Sequence, residues 1–226
     1  MAAHLVGDAA PAARHVDDIA RAYWDAGIRH IVALRGDPPG SLGGAYIPRA
    51  DGYQNATELT AGIRGIAPFE VSVGVYPQIH PESPSVDHDI EVLKAKVDAG
   101  ADYICTQLFF DNHDFFDFRE RCALAGIHVP IIAGIMPITT TNGMKRMADL
   151  SGGSVFPARL LKALQRAGSD PEAVRRVGLH YATEQCADLL NNNVSGIHFY
   201  TLNQSSATRE IYASLGLKGS RALAPA

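Results

Sequence analysis

Cysteine is scarce in this chain: Cys105, Cys122 and Cys186 are the only three, odd in number and far apart. Neither a disulfide framework nor a metal-ligand spacing can be assembled from them. Cys105, inside an apolar run, reads as a packed core thiol. No apolar stretch approaches the roughly 20 residues that a membrane helix needs. The N-terminus shows no basic region followed by a hydrophobic segment, so a secretory leader is not expected. Positive charge is not in excess either: the net charge is -4 with both signs mixed, which leaves no basic stripe for nucleic acid. Also missing are a glycine-rich dinucleotide fingerprint, a P-loop, a His/Glu pair at helical metal spacing and a nucleophile-plus-base signature. These absences argue against nucleic-acid binding, membrane anchoring, a metal centre and triad hydrolysis. A reducing cytoplasm is the default compartment.

What is present is a globular composition, 46% hydrophobic and 19% charged over 226 residues, enough for one large domain with its own core. Short apolar runs bounded by turn formers predict strands at 4–6, 31–34, 71–75, 103–108, 131–135 and 196–200. Helical periodicity predicts helices at 16–28, 56–66, 87–99, 115–125, 143–150, 157–167, 171–191 and 206–215. In the helix at 87–99, Ile90, Leu93 and Val97 are expected to face inward, with Lys94, Lys96 and Asp98 largely outward. Strand and helix alternate throughout, which implies parallel strands with helical crossovers. The expected architecture is an α/β fold of the TIM (β/α)8 barrel type, with only six of the eight βα units apparent. The barrel domain is expected over residues 1–216, followed by a flexible tail at 217–226.

Polar residues cluster just after the strands, where such folds place their chemistry. The most loaded stretch is Arg35-Gly36-Asp37, a cation, a glycine and a carboxylate crowning a buried strand and followed by two prolines. Arg35 can fork onto an anion, Gly36 permits close approach to the backbone, and Asp37 can polarise a neighbour. The plainer reading is a strand-end salt bridge in a tight turn. The connection from 38 to 55 is longer than a usual βα loop. Tyr76 and His80 follow the third strand, and either could simply stiffen a proline-rich loop. Gln107 lies near the end of an otherwise apolar strand and must find hydrogen-bond partners. Lys96, near a helix C-terminus, is most simply a dipole-complementing surface charge. A mixed set of hydrogen-bonding groups and aromatics on one face suits a large planar organic ligand better than a hydrolytic triad.

Five runs in order, HIVALRGDPPG, YPQIHPE, KVDAGADYICTQLFFD, GIMPI and GIHFYTLN, resemble methylenetetrahydrofolate reductase, the flavoprotein of folate and methionine metabolism. The likeness extends from His4 to about Leu215. It implies a (β/α)8 barrel with non-covalent FAD, NAD(P)H as co-substrate, and reduction of 5,10-methylenetetrahydrofolate to 5-methyltetrahydrofolate. For the cofactor it implies His4, Arg35, Gly36, Asp37, Ala56, Tyr76, His80, Asp89 and Lys96, with Tyr53 aligned less closely. For the folate it implies Asp37, Gln107, Tyr200 and Leu202, with Asp37 as the catalytic carboxylate. A homo-oligomer is expected.

The chain also departs from the family pattern. The family's first two strands, one carrying a general-acid glutamate, have no counterpart here, so poor turnover by this chain alone is expected. The alternative reading is a truncated flavin- or folate-binding fragment that needs a partner or a missing N-terminal segment. Thr139-Thr140-Thr141 stands where a nicotinamide-contacting phenylalanine is usual. Val92 and Ala95 replace polar residues that assist the cofactor, and Gln204 stands where an arginine is common.

Overall fold

The computed structural model describes residues 2–7, 13–36, 50–150 and 154–217. Asp37, most of the long connection after it and the expected tail beyond Leu217 therefore lie outside the described residues. The elements run β1 (Ala2–Val6), α1 (Ala13–Asp25), β2 (His30–Leu34), α2 (Ala56–Ile66), β3 (Glu70–Val75), α3 (Val86–Asp98), β4 (Tyr103–Thr106) and α4 (Asn112–Leu124). They continue with β5 (Ile131–Ile135), α5 (Thr141–Leu150), α6 (Ala158–Ala167), α7 (Pro171–Asn191), β6 (Ile197–Phe199) and α8 (Ser206–Ser214). All six strands among the described residues pair in parallel with their sequence neighbours. The described residues thus form a parallel α/β fold with six strands, as the alternating pattern predicts. Among the described residues no helix is long and apolar enough to cross a membrane.

The chain divides into two compact units, one comprising Met1–Gln107 with Asp117–Ile132, the other Leu108–Phe116 with Ala133–Ala226. In the first unit the register sets Leu5 beside Ala33, Ile31 beside Val71 and Val73 beside Ile104. Successive side chains of a strand point to opposite faces, so these residues share one face. All six are buried. The other face carries His4, Val6, Val32, Leu34, Gly74 and Cys105, exposed or half-exposed. Short polar side chains start the helices: Asn55 accepts from Glu58 N at 3.0 Å at the head of α2, and Ser85 accepts from His88 N at 3.1 Å at the head of α3. Each satisfies a backbone donor that the helix itself cannot.

In the second unit, the carboxyl half of β5 pairs with β6, Ala133 beside Ile197 and Ile135 beside Phe199. Its core gathers Phe110, Ile138, Leu160, Leu164 and Val174. The 21-residue helix α7 runs through this unit, begun by Asp170 as cap and Pro171 in the first turn. Gly178 is required there by proximity: a Cβ on it would stand 1.7 Å from Ile138 O. A strand was expected to continue to 108, but β4 ends at Thr106. From Leu108 to Phe110 the carbonyls are taken by side chains and not by a ladder, as described below.

Candidate functional site

The first unit gathers charged groups beyond β2, β3 and the start of α3. Arg35 follows β2 directly, and its guanidinium reaches Glu82 with Nη1 to Oε2 at 2.5 Å and Nη2 to Oε1 at 3.5 Å. This fork-on-carboxylate geometry holds the Glu82 carboxyl below its usual range. Gly36 has φ 96°, a left-handed conformation that glycine adopts without strain. It lets the chain turn sharply off the end of β2.

Beyond β3, Tyr76 meets His80 edge to face, with ring centroids 4.9 Å apart. His80 is pinned on both sides. Its backbone N–H donates to Asp89 Oδ2 at 2.7 Å, and its Nδ1 accepts from Glu82 N at 3.1 Å. An accepting Nδ1 requires the proton of the neutral ring to sit on Nε2. Burial lowers the imidazole pKa, an effect opposed by Glu82 and reinforced by Arg35, so the neutral ring is favoured.

Lys96 is where the structure corrects the sequence expectation. Its position on α3 falls among the outward residues, yet the half-buried side chain turns in towards the sheet. Nζ donates to Gly74 O of β3 at 3.0 Å. Burial pushes the ammonium pKa down to about 8; Asp89 opposes that shift and Arg35 adds to it. A desolvated cation that is also within electrostatic reach of a second cation gains from any anion placed beside it. The cluster thus sets two cations, Arg35 and Lys96, against two carboxylates, Glu82 and Asp89, with a neutral imidazole beside them. Among the described residues, Lys96 is the one of these two cations that has no carboxylate in direct hydrogen-bond contact.

The remaining expected residues fall as follows. His4 is exposed on β1, opposite Val32 in the register. Ala56 is buried in the first turn of α2. Tyr53 is committed to structure: its hydroxyl donates to Asp17 Oδ1 at 2.6 Å, and burial together with that bond pushes its pKa up to about 12. Gln107 stands directly beyond β4, with its N–H donating to Val75 O at 2.6 Å. In the second unit, Tyr200 N donates to Ile135 O at 2.9 Å, and its ring lies 4.8 Å from that of His198. Leu202 is 68% exposed, in a left-handed turn with φ 46°. Glu82 escaped the sequence reading. Its signal was faint, a carboxylate two positions after His80, and its partner Arg35 is 47 residues away. Cys122 and Cys186 are buried, and burial pushes both thiols up to about 12, which removes them as nucleophiles.

Residues 1–216 match the sequence model of the methylenetetrahydrofolate reductase family. The chain belongs to that family. Among its curated relatives, the 5,10-methylenetetrahydrofolate reductase of Escherichia coli (strain K12) is 40% identical over 201 residues, covering 88% of this chain and 65% of the relative. A plant relative, methylenetetrahydrofolate reductase (NADH) 1 of Arabidopsis thaliana, is 38% identical over 202 residues, covering 84% of this chain and 34% of its own length. The chain thus spans less than two thirds of the length of these methylenetetrahydrofolate reductases. A solved structure of a Clostridium thermocellum protein, described as binding two copies of 5-methyl-5,6,7,8-tetrahydrofolic acid, shares the fold at a TM-score of 0.52. It is 13% identical and covers 95% of this chain and 94% of its own.

Proposed function

We propose that this chain reduces 5,10-methylenetetrahydrofolate to 5-methyltetrahydrofolate with FAD as cofactor and NAD(P)H as electron donor. In this reading its parallel sheet is the barrel wall of a (β/α)8-type enzyme that works in the cytoplasm as a homo-oligomer. The observation that carries the reading is the convergence of Arg35, His80 and Lys96 beyond β2 and β3. Family membership supports the reaction. The charge cluster supports the cofactor.

The residues present fit FAD on chemical grounds. A dinucleotide flavin brings a pyrophosphate, a polyhydroxylated chain and a flat ring. Lys96 matches a phosphate, because a lysine depressed by burial regains its charge beside an anion, and Arg35 offers a planar fork of donors. Asp89, already holding the His80 backbone, and the His80 ring match hydroxyl groups as acceptor and donor. Gly36, with no side chain and a turned backbone, gives a flat ring access to the main chain. Tyr76, His4 and the Ala56 turn complete the expected contacts. When bound, FAD supplies reversible hydride transfer, and the protein supplies placement and electrostatics.

The folate side is assigned to Asp37, Gln107, Tyr200 and Leu202. Opening the imidazolidine ring of methylenetetrahydrofolate leaves positive charge on the folate. A carboxylate at Asp37 stabilises that charge most where it is greatest, which is how fixed charge accelerates a step. The Gln107 amide offers both a donor and an acceptor to a pterin edge.

Purified chain incubated with FAD and freed of excess cofactor should be yellow. The bound flavin should bleach with NADH or NADPH and recover its colour only slowly when methylenetetrahydrofolate is added without oxygen, since the glutamate expected to protonate the folate has no counterpart in this sequence. A colourless protein rejects the cofactor assignment, and colour that folate does not restore rejects the substrate.

A further inference from the structure

Helix α7 and the segment before α6 hold the turn after β4 by its carbonyls. Leu108 O accepts from Ser154 Oγ at 3.4 Å, Phe109 O accepts from Gln185 Nε2 at 3.1 Å, and Phe110 O accepts from Tyr181 OH at 2.7 Å. Three consecutive carbonyls that would otherwise continue a ladder are met by three side chains. Gln185 is 7% exposed and is itself braced, since Asn112 Nδ2 donates to its backbone O at 2.9 Å and to Asp188 Oδ2 at 2.7 Å. Tyr181 is braced too: Arg159 Nε donates to its hydroxyl at 3.1 Å, with the guanidinium 5.1 Å from the ring centroid. The same helix presses its backbone at Gly178 against Ile138, in the turn after β5. Every partner in this arrangement is uncharged at the carbonyl it serves, and every one of those carbonyls is satisfied without a ligand.

The three carbonyls of this turn are each met by a side chain, while the buried Asn112 Oδ1 beside them finds no partner. Satisfied carbonyls hold one backbone path, because any other leaves one of them unpaired at a cost. The first residue before this turn is Gln107. We propose that Gln185 and Tyr181, with Ser154 as the weaker third member, are positioning residues that set the path of the chain after β4 and so the placement of the Gln107 amide. This rests on the assignment of Gln107 to the folate. None of the three touches the substrate in this scheme. They act through the main chain.

The test uses the full chain loaded with FAD, with 5-methyltetrahydrofolate as the probe. Gln185→Met keeps the side-chain volume but removes the donor to Phe109 O. It should weaken folate binding by about tenfold, the size expected for one unsatisfied buried carbonyl, and leave FAD affinity unchanged. Tyr181→Phe, a milder change, should weaken folate binding less and speed hydrogen exchange of the amides from Leu108 to Asp111. Gln185→Glu supplies the readout that a purely structural role would not move. A protonated carboxyl can donate to Phe109 O and a carboxylate cannot, so folate affinity in this variant should fall as pH rises, with no such dependence on this group in the parent. Gln107→Ala separates the two claims. Folate affinity lowered by Gln107→Ala but untouched by Gln185→Met and Tyr181→Phe overturns the positioning role alone. Affinity untouched by Gln107→Ala, or no folate binding by the parent, overturns the assignment of Gln107 and the proposal with it.

Discussion

The turn after β3 and the turn after β4 both follow short parallel strands and both carry aromatic residues, yet their polar groups are treated in opposite ways. Around the turn after β3 the first unit keeps His80, Glu82, Asp89 and Lys96, with Arg35 from the end of β2, partly exposed, and burial holds His80 and Lys96 below their ordinary pKa values. After β4 the second unit buries Leu108, Phe109 and Phe110 and satisfies their carbonyls with neutral donors. A half-desolvated lysine has something to gain from an anion. Backbone carbonyls already met by side-chain donors have little to gain from a ligand. The first arrangement is suited to binding, and the second to holding a backbone still.

The sharpest way to break the second region is Gly178→Ala. Its new methyl group would have to displace Ile138 O from 1.7 Å, a backbone atom that cannot rotate away. We expect a loss of about 3 kcal/mol or more, at the upper end of overpacking effects, read as a lower thermal midpoint. Tolerance of this change would mean that α7 is free to move away from the turn after β5, and so from its hydrogen bonds to the turn after β4.

Asp37→Asn probes the chemistry assigned to the first region. Flavin reoxidation by methylenetetrahydrofolate should slow by roughly a hundredfold, the scale for removing one electrostatic stabiliser, while flavin reduction by NADH changes far less. Equal losses in both half-reactions would reject the role.

Lys96→Met separates binding from stability. It should weaken FAD affinity by roughly tenfold or more, since hydrogen bonds to charged groups are worth about 1.5–3 kcal/mol. The same change should leave the cofactor-free protein at least as stable, because it removes a cation that burial disfavours. A large fall in cofactor-free stability would make Lys96 a structural residue. Glu82→Gln should have the smallest effect, under about 1 kcal/mol of stability, because the Arg35–Glu82 pair is partly exposed and screened. It should lower the His80 pKa further, a shift that proton NMR of the imidazole would report.

The sequence made the alternation legible, and with it the parallel sheet: β5, α2 and α7 have the bounds that periodicity and punctuation predict. Arg35, Gly36, Tyr76 and His80 were legible as a strand-end set because each lies within a few residues of an apolar run. Lys96 was not. Helical spacing assigns a direction to Cα–Cβ, whereas a lysine stem is long enough to carry its ammonium from the outward side back to Gly74 O. Gln185 and Tyr181 were hidden for another reason. On a 21-residue helix they read as ordinary facing positions, and their partners lie 76 and 71 residues away. The end of β4 was misplaced by the same blindness, since the apolar run continues to Phe110 but its carbonyls leave the ladder.

The central claim is that the cluster beyond β2 and β3 is an anion receptor built around Lys96. Its sign can be worked out. In the folded chain Lys96 titrates near 8, against 10.5 when unperturbed, so between those values the unfolded chain binds more protons and stability rises with pH. Cofactor binding runs the other way, because a bound phosphate favours the protonated lysine and loses that partner above about pH 8. The most direct measurement is a titration of the purified chain with FAD, repeated from neutral pH upward, on the parent and on Lys96→Met. The account predicts saturable uptake with affinity falling above about pH 8 in the parent, and weaker, nearly flat affinity in the variant. No uptake at any pH, or the same pH dependence in both proteins, would contradict it.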